Sequence, residues 1–239
     1  MNNTAIIGAD PELPYAVEEA INRLRVNVSF LGSDIRKIMI VSSEPNEGKS
    51  FIAMNLWRQM AVTGERSILI DADMRNSTMV NSYKISREDG KELWGLSHYL
   101  SDNKKLEDCV LNSPIPGGDL LPNVNNIVNP SMLLDSRRFS ELLDFLAARY
   151  RYVFLDVPPL GLVSDAEKIG SLCDGAILVV RSGVTSKGLV RSSAAQLERA
   201  VCPILGVVLN RAGAGSGKYG KYYGRYGKRY YSDQYYGKS

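Results

Sequence analysis

Residues 43–50 have the types and spacing of a loop that binds the phosphates of a nucleotide. They follow an apolar run and precede a helical pattern, and backbone N–H groups at the start of a helix can surround β- and γ-phosphates. Lys49 would place a positive charge on those oxygens, Ser50 would ligate Mg²⁺ through its hydroxyl, and Gly48 would let the backbone approach closely. Ser43 stands where the general motif has its first glycine, so the prediction depends on the Glu-Gly-Lys-Ser core and its context.

Three aspartates follow two further apolar runs and could hold a metal ion or a nucleophile. Asp71 and Asp73 are two residues apart after the run 67–70, so both can leave a sheet toward one nucleotide site. Asp156 follows the run 152–155, in the setting of an acid that holds Mg²⁺ through water. Together with Lys49 and Mg²⁺, these carboxylates would supply the positioning and charge neutralisation that phosphoryl transfer needs. Any single one could instead be a helix cap or a turn residue.

The elements that must position these residues are strands alternating with helices. Near-continuous apolar runs predict strands, buried on both faces, at 38–41, 67–70, 152–155, 176–180 and 204–209. Helical spacing predicts helices at 51–62, 136–150, 164–172 and 187–200, with Ser164 and Glu167 as a capping box. Right-handed crossovers then give a doubly wound, mainly parallel α/β fold that binds ligands at the carboxyl ends of its strands. Residues 76–127 are less regular and suggest short helices and loops, with a strand near 119–121.

Two flanking segments divide the chain into three parts. Apolar residues recur at helical spacing from Val17 to Leu31, so residues 1–32 are predicted to be an N-terminal helical segment with Pro14 in its first turn. Residues 33–212 are the predicted P-loop domain. Residues 213–239 hold eight of the 13 tyrosines among Gly, Lys and Arg, and such a segment cannot bury a core. We expect it to be a disordered tail.

The positive charge of the chain is concentrated in that tail. The formal net charge is +3, and residues 213–239 carry six Lys or Arg against one Asp, about +5, which leaves about −2 for the rest. No apolar run approaches the roughly 18 to 20 residues that span a bilayer, and no signal-peptide core is present, so we expect a soluble, cytoplasmic chain. Three scattered cysteines and one histidine predict neither a zinc site nor a disulfide framework.

The motifs together resemble those of the bacterial tyrosine kinases of capsule and exopolysaccharide operons. The family's P-loop is similar to residues 45–50, its Asp-x-Asp-x-Arg motif to residues 71–75, and its Asp-x-Pro-Pro motif to residues 156–159. Residues 129–134, 138–143 and 163–166 and the tyrosine cluster are similar too, so the likeness spans nearly the whole chain. The resemblance implies a P-loop NTPase fold of the partitioning-ATPase-like group.

The resemblance also implies an ATP- and Mg²⁺-dependent kinase that phosphorylates its own tail and regulates polysaccharide polymerisation and export. Lys49 would contact the phosphates, Ser50 and Asp156 would hold Mg²⁺, and Asp71 and Asp73 would share metal binding and preparation of the tyrosine hydroxyl. The implied nucleotide-binding residues are Ser43, Pro45, Asn46, Glu47, Gly48, Lys49, Ser50, Phe51, Asn210 and Arg211. The implied phosphorylated residues are Tyr219, Tyr222, Tyr223, Tyr226, Tyr230, Tyr231, Tyr235 and Tyr236.

Three kinds of partner follow from the same resemblance. A membrane-anchored protein similar to chain-length regulators would activate the kinase and hold it at the membrane, because this form has no membrane span of its own. A tyrosine phosphatase would reverse the modification. Further copies of the chain would form a homo-oligomer, whereas no nucleic acid is expected.

Two positions depart from the family pattern. Asn46 replaces the usual glycine of the loop, and asparagine tolerates a left-handed backbone. The N-terminal motif Glu-x-x-Arg-x-x-Arg, which serves subunit contacts in the family, reads Glu19, Asn22 and Arg25, with Arg23 one position from the missing arginine. Oligomer contacts through Glu19, Arg23 and Arg25 therefore compete with a solvated helix face as the interpretation.

Three other functions fit part of the pattern. A partitioning or division-site ATPase shares the fold and both Asp motifs, but its P-loop carries an extra lysine at the position of Glu44. A nucleic-acid binder could use the basic, tyrosine-rich tail to stack bases and contact phosphates, although the intact Asp motifs argue against it. An inactive kinase-like regulator is the third, because of Asn46 and Asn22.

Overall fold

Strands and helices alternate along most of the chain. The computed structural model describes residues 3–9 and 12–212. Its strands are β1 (Ala5–Ile7), β2 (Lys37–Ser42), β3 (Ser67–Asp71), β4 (Ile85–Arg87), β5 (Leu111–Asn112), β6 (Gly118–Leu121), β7 (Tyr152–Asp156), β8 (Gly175–Arg181) and β9 (Ile204–Asn210). Its helices are α1 (Tyr15–Ser29), α2 (Lys49–Val62), α3 (Met79–Tyr83), α4 (Leu96–Leu100), α5 (Leu106–Cys109), α6 (Ser131–Leu134), α7 (Arg137–Arg149), α8 (Asp165–Gly170) and α9 (Lys187–Arg199).

One seven-stranded sheet organises these elements, in the order β5-β6-β3-β7-β2-β8-β9. Its neighbouring strands are parallel except β5 and β6, which pair antiparallel at one edge. Strand β2 lies between β7 and β8, so the loop after β2 opens near the middle of the carboxyl edge. Open α/β sheets bind their ligands outside the carboxyl ends of their strands. The predicted doubly wound, mainly parallel α/β fold is confirmed.

Apolar side chains fill a core on each face of the sheet. On one face the helices α7, α8 and α9 pack against the strands, with Phe139 fully buried among them. On the other face α1 and α2 pack, with Ile21 and Trp57 buried. Neighbouring residues of β2 serve opposite cores, Met39 the first and Ile40 the second. Burial on both faces explains why the central strands have near-continuous apolar sequences.

The predicted strands and long helices are all present. The structure extends several of them by a residue or two, so that α2 begins at Lys49 and β2 ends at Ser42. The helix predicted at 164–172 is shorter than expected, Asp165–Gly170. The strand suggested near 119–121 is β6, and the rest of 76–127 contains the short helices α3, α4 and α5.

The division of the chain into residues 1–32, 33–212 and 213–239 stays a prediction, and its last part lies outside the described residues. Helix α1 contributes Ile21 and Val28 to the same core as α2.

The prediction of burial on both faces was wrong for the last strand. Among the described residues, strand β9 has only β8 as a neighbouring strand, and it exposes 57% of Val207 and 54% of Leu209. Its apolar sequence therefore belongs to an edge strand. The antiparallel ribbon of β1 and β4 and the edge strand β5 were not predicted, because strands of two or three residues are too short to show a period.

The capping box predicted at Ser164 and Glu167 was also wrong. Ser164 has helical backbone angles, φ −73° and ψ −9°, and its side chain makes no capping hydrogen bond. A capping hydroxyl needs an extended residue before the helix, as Ser136 and Ser186 provide for α7 and α9. The buried acidic side chain in the first turn of α8 is instead that of Asp165, which forms an ion pair with Arg75.

Candidate active site

The loop between β2 and α2 has a left-handed backbone at two positions. Asn46 adopts φ +62° and Gly48 adopts φ +95°. The left-handed backbone expected to accommodate Asn46 is therefore present. A Cβ at Gly48 would lie 2.1 Å from Asn210 Nδ2, so both its φ and its close approach to β9 require glycine.

Glu47 turns its side chain into the protein and joins the two ends of this loop. The residue is 2% exposed, and its Oε2 accepts hydrogen bonds from the N–H groups of Ser43 at 2.7 Å and Glu44 at 3.0 Å. Its Oε1 accepts from the hydroxyl of Thr185, between β8 and α9. Asn210 Nδ2 donates to the Glu47 carbonyl at 2.8 Å. The loop is thus held by its own carboxylate and by two neighbouring segments.

Lys49 meets the carboxylates of two strand ends. Its Nζ lies 3.0 Å from Asp73 Oδ2 and 3.5 Å from Asp156 Oδ1. Asp71 lies opposite Asp156 in the ladder of β3 and β7. Ser50 follows Lys49 in the first turn of α2, with its Oγ 3.5 Å from the lysine Nζ. The sequence motifs at 43–50, 71–75 and 156–159 therefore converge at one place.

The carboxyl groups of Asp71, Asp73 and Asp156 are buried, and burial acts on the ionisation of Asp71 and Asp156. Burial and the charge of Asp156 raise the pKa of Asp71 from 3.8 to about 8. Burial also raises the pKa of Asp156, although Lys49 acts against it. For Lys49, burial lowers the pKa, but Asp156 and Asp73 outweigh it and the pKa is raised. Lys49 therefore stays protonated, and it shares the site with three buried carboxyl groups, of which Asp71 ionises only near pH 8.

The charge and ligand types of the site fit Mg²⁺ bound together with a nucleotide. Carboxylate and hydroxyl oxygens are hard ligands, and one lysine leaves the buried carboxylates under-compensated. Within residues 3–9 and 12–212, no group of three or more His, Cys, Asp or Glu side chains could hold a metal alone. Mg²⁺ commonly keeps several waters and uses one or two carboxylates plus phosphate oxygens. The arrangement matches that mode of binding.

Asp71 has a partner that the sequence analysis missed. Ser77 Oγ donates to Asp71 Oδ2 at 2.5 Å, and Asp73 N–H donates to the other oxygen at 3.3 Å. The side chain of Asn126 accepts from the Ser77 N–H at 2.9 Å. A signal was available, because Ser77 follows the Asp-x-Asp-x-Arg motif by two residues.

Arg75 links three segments beside the site, and this role was also missed. Its guanidinium forms a two-bond ion pair with Asp165, at 2.5 Å from Nε and 3.1 Å from a terminal nitrogen. It also donates to the Val128 carbonyl at 3.1 Å and to Ser131 Oγ at 3.3 Å. Arg75 and Asp165 both lie in motifs noted from the sequence, at 71–75 and 163–166. The structure shows that these motifs contact each other.

The other residues predicted to bind nucleotide surround the loop. Pro45 is exposed at its tip, and Phe51 packs its side chain against the core. Asn210 ends β9 behind the loop, and exposed Arg211 follows it with φ +57°. Ser43 is buried, where its hydroxyl accepts from Ser193 of α9 at 2.8 Å.

The residues predicted to contact other subunits pair within α1. Arg23 forms an exposed ion pair with Glu19 at 3.2 Å, and Arg25 donates twice to Asn22 Oδ1 at 3.0 Å. Their contacts between subunits stay a prediction. The eight tail tyrosines, Tyr219 to Tyr236, lie outside the described residues.

Comparison with known proteins identifies relatives over most of the chain. Residues 35–181 match a family described as an AAA domain. The tyrosine-protein kinase CpsD of Streptococcus agalactiae is 34% identical over 229 residues, which cover 96% of this chain and 98% of that protein. The tyrosine-protein kinase YwqD of Bacillus subtilis strain 168 is 32% identical over 194 residues, 80% of each chain.

Solved structures of similar proteins include a tyrosine kinase domain. The kinase domain of the Escherichia coli tyrosine kinase ETK superposes with a TM-score of 0.73 and 29% identity, covering 82% of this chain and 77% of that domain. The septum site-determining protein MinD of Pyrococcus horikoshii, solved with Mg-ADP, gives a TM-score of 0.64 at 24% identity, covering 76% of this chain and 72% of that one, and shows the shared fold. The chain belongs to the family of bacterial tyrosine-protein kinases.

Proposed function

We propose that this kinase transfers the γ-phosphate of ATP to tyrosines of its own C-terminal tail. The observation that carries the proposal is the contact of Lys49 with Asp73 and Asp156, at the first turn of α2 and beside buried Asp71. Phosphoryl transfer requires a lysine on the phosphates, acids that hold Mg²⁺, and a group that receives the nucleophile's proton. The relatives named tyrosine-protein kinases support tyrosine as the acceptor.

Each residue of the site would have a separate task. Lys49 would exchange part of its contact with Asp73 and Asp156 for the β- and γ-phosphate oxygens. Bound Mg²⁺, held by Ser50 and Asp156, would neutralise charge on those oxygens. Asp71 lies outside ion-pair distance of Lys49, so its carboxylate remains available to the tyrosine hydroxyl. That hydroxyl has an unperturbed pKa near 10 and needs an acceptor for its proton.

The charge of the tail supports its role as substrate. The tail has six Lys or Arg residues and one Asp, so it is positively charged. It would be attracted to a site that has three carboxyl groups and one lysine. The 27 residues after position 212 span at most about 97 Å when extended, so delivery of a tyrosine to a site on a neighbouring chain is feasible. Each phosphate adds about −1.5 to −2 charges, so three or four would reverse the tail's charge. Phosphorylation would then replace the attraction of the tail to acidic surfaces by repulsion, and so weaken the assembly of chains.

The cellular role follows from the same relatives. We propose regulation of capsular or exopolysaccharide polymerisation and export, with a membrane-anchored activator and a tyrosine phosphatase as partners. Within the described residues, no helix has the length and apolar composition to cross a bilayer. Association with the membrane would therefore depend on the activator, and homo-oligomer formation would use Glu19, Arg23 and Arg25.

A partitioning-type ATPase is the second candidate, because MinD shares the fold. Glu44 argues against it, since such ATPases have a lysine at this position of the loop. An inactive regulator is the third candidate. The left-handed backbone of Asn46 argues against this, because the loop keeps its shape without the glycine.

The test uses wild type and the variants Lys49→Met and Asp156→Asn, incubated with labelled ATP and Mg²⁺. We expect phosphotyrosine on wild type and none on either variant, with unchanged circular dichroism. Lys91→Met is the matched control, because Lys91 is exposed and pairs only with Asp89 at 3.5 Å among the described residues. Labelling of Lys49→Met at the wild-type rate would contradict the site assignment.

A further inference from the structure

The Asp71 carboxylate is held by a hydroxyl, whereas its two acidic neighbours are held by a cation. Lys49 contacts Asp73 and Asp156, and Asp71 lies outside its ion-pair distance. Asp71 Oδ2 accepts from Ser77 Oγ at 2.5 Å, and within the part of the chain that the structure describes Oδ1 accepts only the longer bond from Asp73 N–H at 3.3 Å. Ser77 is thus the one described side chain that fixes the rotation of this carboxylate by a hydrogen bond.

Ser77 is itself held by an asparagine-rich segment after β6. Its N–H donates to Asn126 Oδ1 at 2.9 Å, and its hydroxyl lies 3.3 Å from the Asn123 carbonyl. Asn123 is 1% exposed and donates through Nδ2 to the Asn125 carbonyl at 3.0 Å. The segment therefore has a fixed shape around Ser77.

The only histidine of the chain supports this segment. His98 Nε2 lies 3.1 Å from the Asn125 amide, and its Nδ1 accepts from the Gly95 N–H at 3.2 Å. Gly95 in turn packs against the Pro122 carbonyl, where a Cβ would lie at 2.1 Å. The start of α4 therefore anchors the segment that holds Ser77.

Electrostatic repulsion explains why Asp71 needs this support. Asp156 and Asp73 both act on Asp71 as like charges in a buried site. Without a donor on Oδ2, the carboxylate would turn away from its neighbours, and the turn would displace the acceptor from the substrate hydroxyl. A misplacement of about 1 Å can reduce a rate about a hundredfold.

We propose that Ser77 is a positioning residue that aims the Asp71 carboxylate at the substrate tyrosine hydroxyl. The inference rests on the proposed function. In the transfer, the tyrosine oxygen forms a bond to the γ-phosphorus and its proton passes to Asp71. The bond from that phosphorus to the bridging oxygen breaks, and ADP leaves with the electron pair. The Ser77 hydroxyl keeps its proton throughout and acts only through Asp71.

The experiment compares Ser77→Ala, Ser77→Thr and Thr78→Ala with wild type. Thr78 is the matched control, because it is exposed, adjacent, and makes no capping hydrogen bond to α3. Two quantities are measured for each protein: the dissociation constant for Mg·ATP, and the single-turnover rate of phosphotyrosine formation at saturating Mg·ATP. Thermal unfolding confirms that each variant is folded.

We expect Ser77→Ala to lower the transfer rate about 10- to 100-fold and to change the ATP dissociation constant less than about twofold, since a hydrogen bond to a charged group is lost. Ser77→Thr keeps the hydroxyl and should stay within about threefold of wild type, and Thr78→Ala should match wild type. A second variant, Asn126→Ala, releases the Ser77 backbone but keeps its hydroxyl, and should lower the rate by a smaller factor with unchanged ATP binding.

Three results would overturn the inference while leaving the proposed function intact. These are an unchanged transfer rate in Ser77→Ala, equal losses in rate and ATP affinity, or failure of Ser77→Thr to restore the rate in a folded protein. Absence of phosphotyrosine on wild type would instead refute the proposed function, and the inference with it.

Discussion

Replacing Asp71 by Asn should stabilise the protein without nucleotide and metal while it impairs transfer. Asp71 is 1% exposed, faces Asp156 and Asp73, and has no cation at ion-pair distance among the described residues. Asparagine has nearly the same shape, and its oxygen can accept the Ser77 hydroxyl. The change therefore removes the free-energy cost of burying an ionisable carboxyl group, which wild type meets by keeping Asp71 protonated below about pH 8, and it keeps the main hydrogen bond.

The pKa of Asp71 sets the size of this gain in stability and its dependence on pH. The pKa rises from 3.8 in the unfolded chain to about 8 in the fold, so the unfolded state releases its proton first as pH rises. Stability therefore falls between about pH 4 and pH 8, by about 2 kcal/mol at pH 5 and about 4 kcal/mol at pH 7. These values are upper limits for the gain in the free energy of unfolding of Asp71→Asn. Lys49 can move toward Asp71 in wild type and so reduce the cost of its ionisation.

The assay is urea denaturation of both proteins in EDTA at pH 5, 6, 7 and 8. The free energy of unfolding of the variant should exceed that of wild type, and the difference should grow with pH. Each kcal/mol corresponds to about 2–4 °C in melting temperature for a domain of this size. A variant that is less stable than wild type at pH 8, or a difference independent of pH, would refute the account of Asp71 as a buried carboxyl group whose ionisation the fold opposes.

Two further contacts give predictions with matched controls. Glu47→Ala leaves the N–H groups of Ser43 and Glu44 without their acceptor, so we expect ATP affinity to fall at least about tenfold in equilibrium titrations. The control Glu44→Ala, at an exposed side chain, should change ATP affinity little. Arg75→Gln leaves Asp165, 2% exposed, without its ion-pair partner, and should lower the free energy of unfolding by about 2–3 kcal/mol in urea. Arg137→Gln, which breaks an exposed pair, should lower it by less than about 0.5 kcal/mol; equal effects of the two arginines would contradict the role given to Arg75.

The sequence was sufficient for features that depend on local pattern. Apolar runs located the central strands because burial on both faces leaves no room for polar residues. The strand-end positions of Asp71 and Asp156 follow from the same runs, whereas α2 begins at Lys49, two residues before its predicted start. The carboxyl edge of a parallel sheet then brings these residues together, since β2, β3 and β7 are neighbours in the observed order.

The contacts that hold the site in place could not be predicted in this way. Glu47 meets Thr185 across 138 positions, and Arg75 meets Asp165 across 90. Periodicity contains no information about which distant segments become neighbours. The exposure of β9 was missed for a related reason: its apolar sequence resembles that of a buried strand, and only the strand order places it at the edge.

Mapping of phosphotyrosine by mass spectrometry tests the central claim most directly. Wild type, Lys49→Met, and a variant with all eight tail tyrosines changed to Phe are incubated with Mg·ATP, and ATP hydrolysis is measured in parallel. We expect phosphate on residues between Tyr219 and Tyr236 of wild type and none on either variant. When the Lys49→Met chain, which keeps its tail, is mixed with the eight-Phe chain, which keeps its active site, phosphate should appear on the Lys49→Met tail if transfer occurs between chains. ATP hydrolysis by wild type without phosphotyrosine would contradict the assignment as a tyrosine kinase, and full phosphotyrosine on the eight-Phe variant would contradict the assignment of the tail as its substrate.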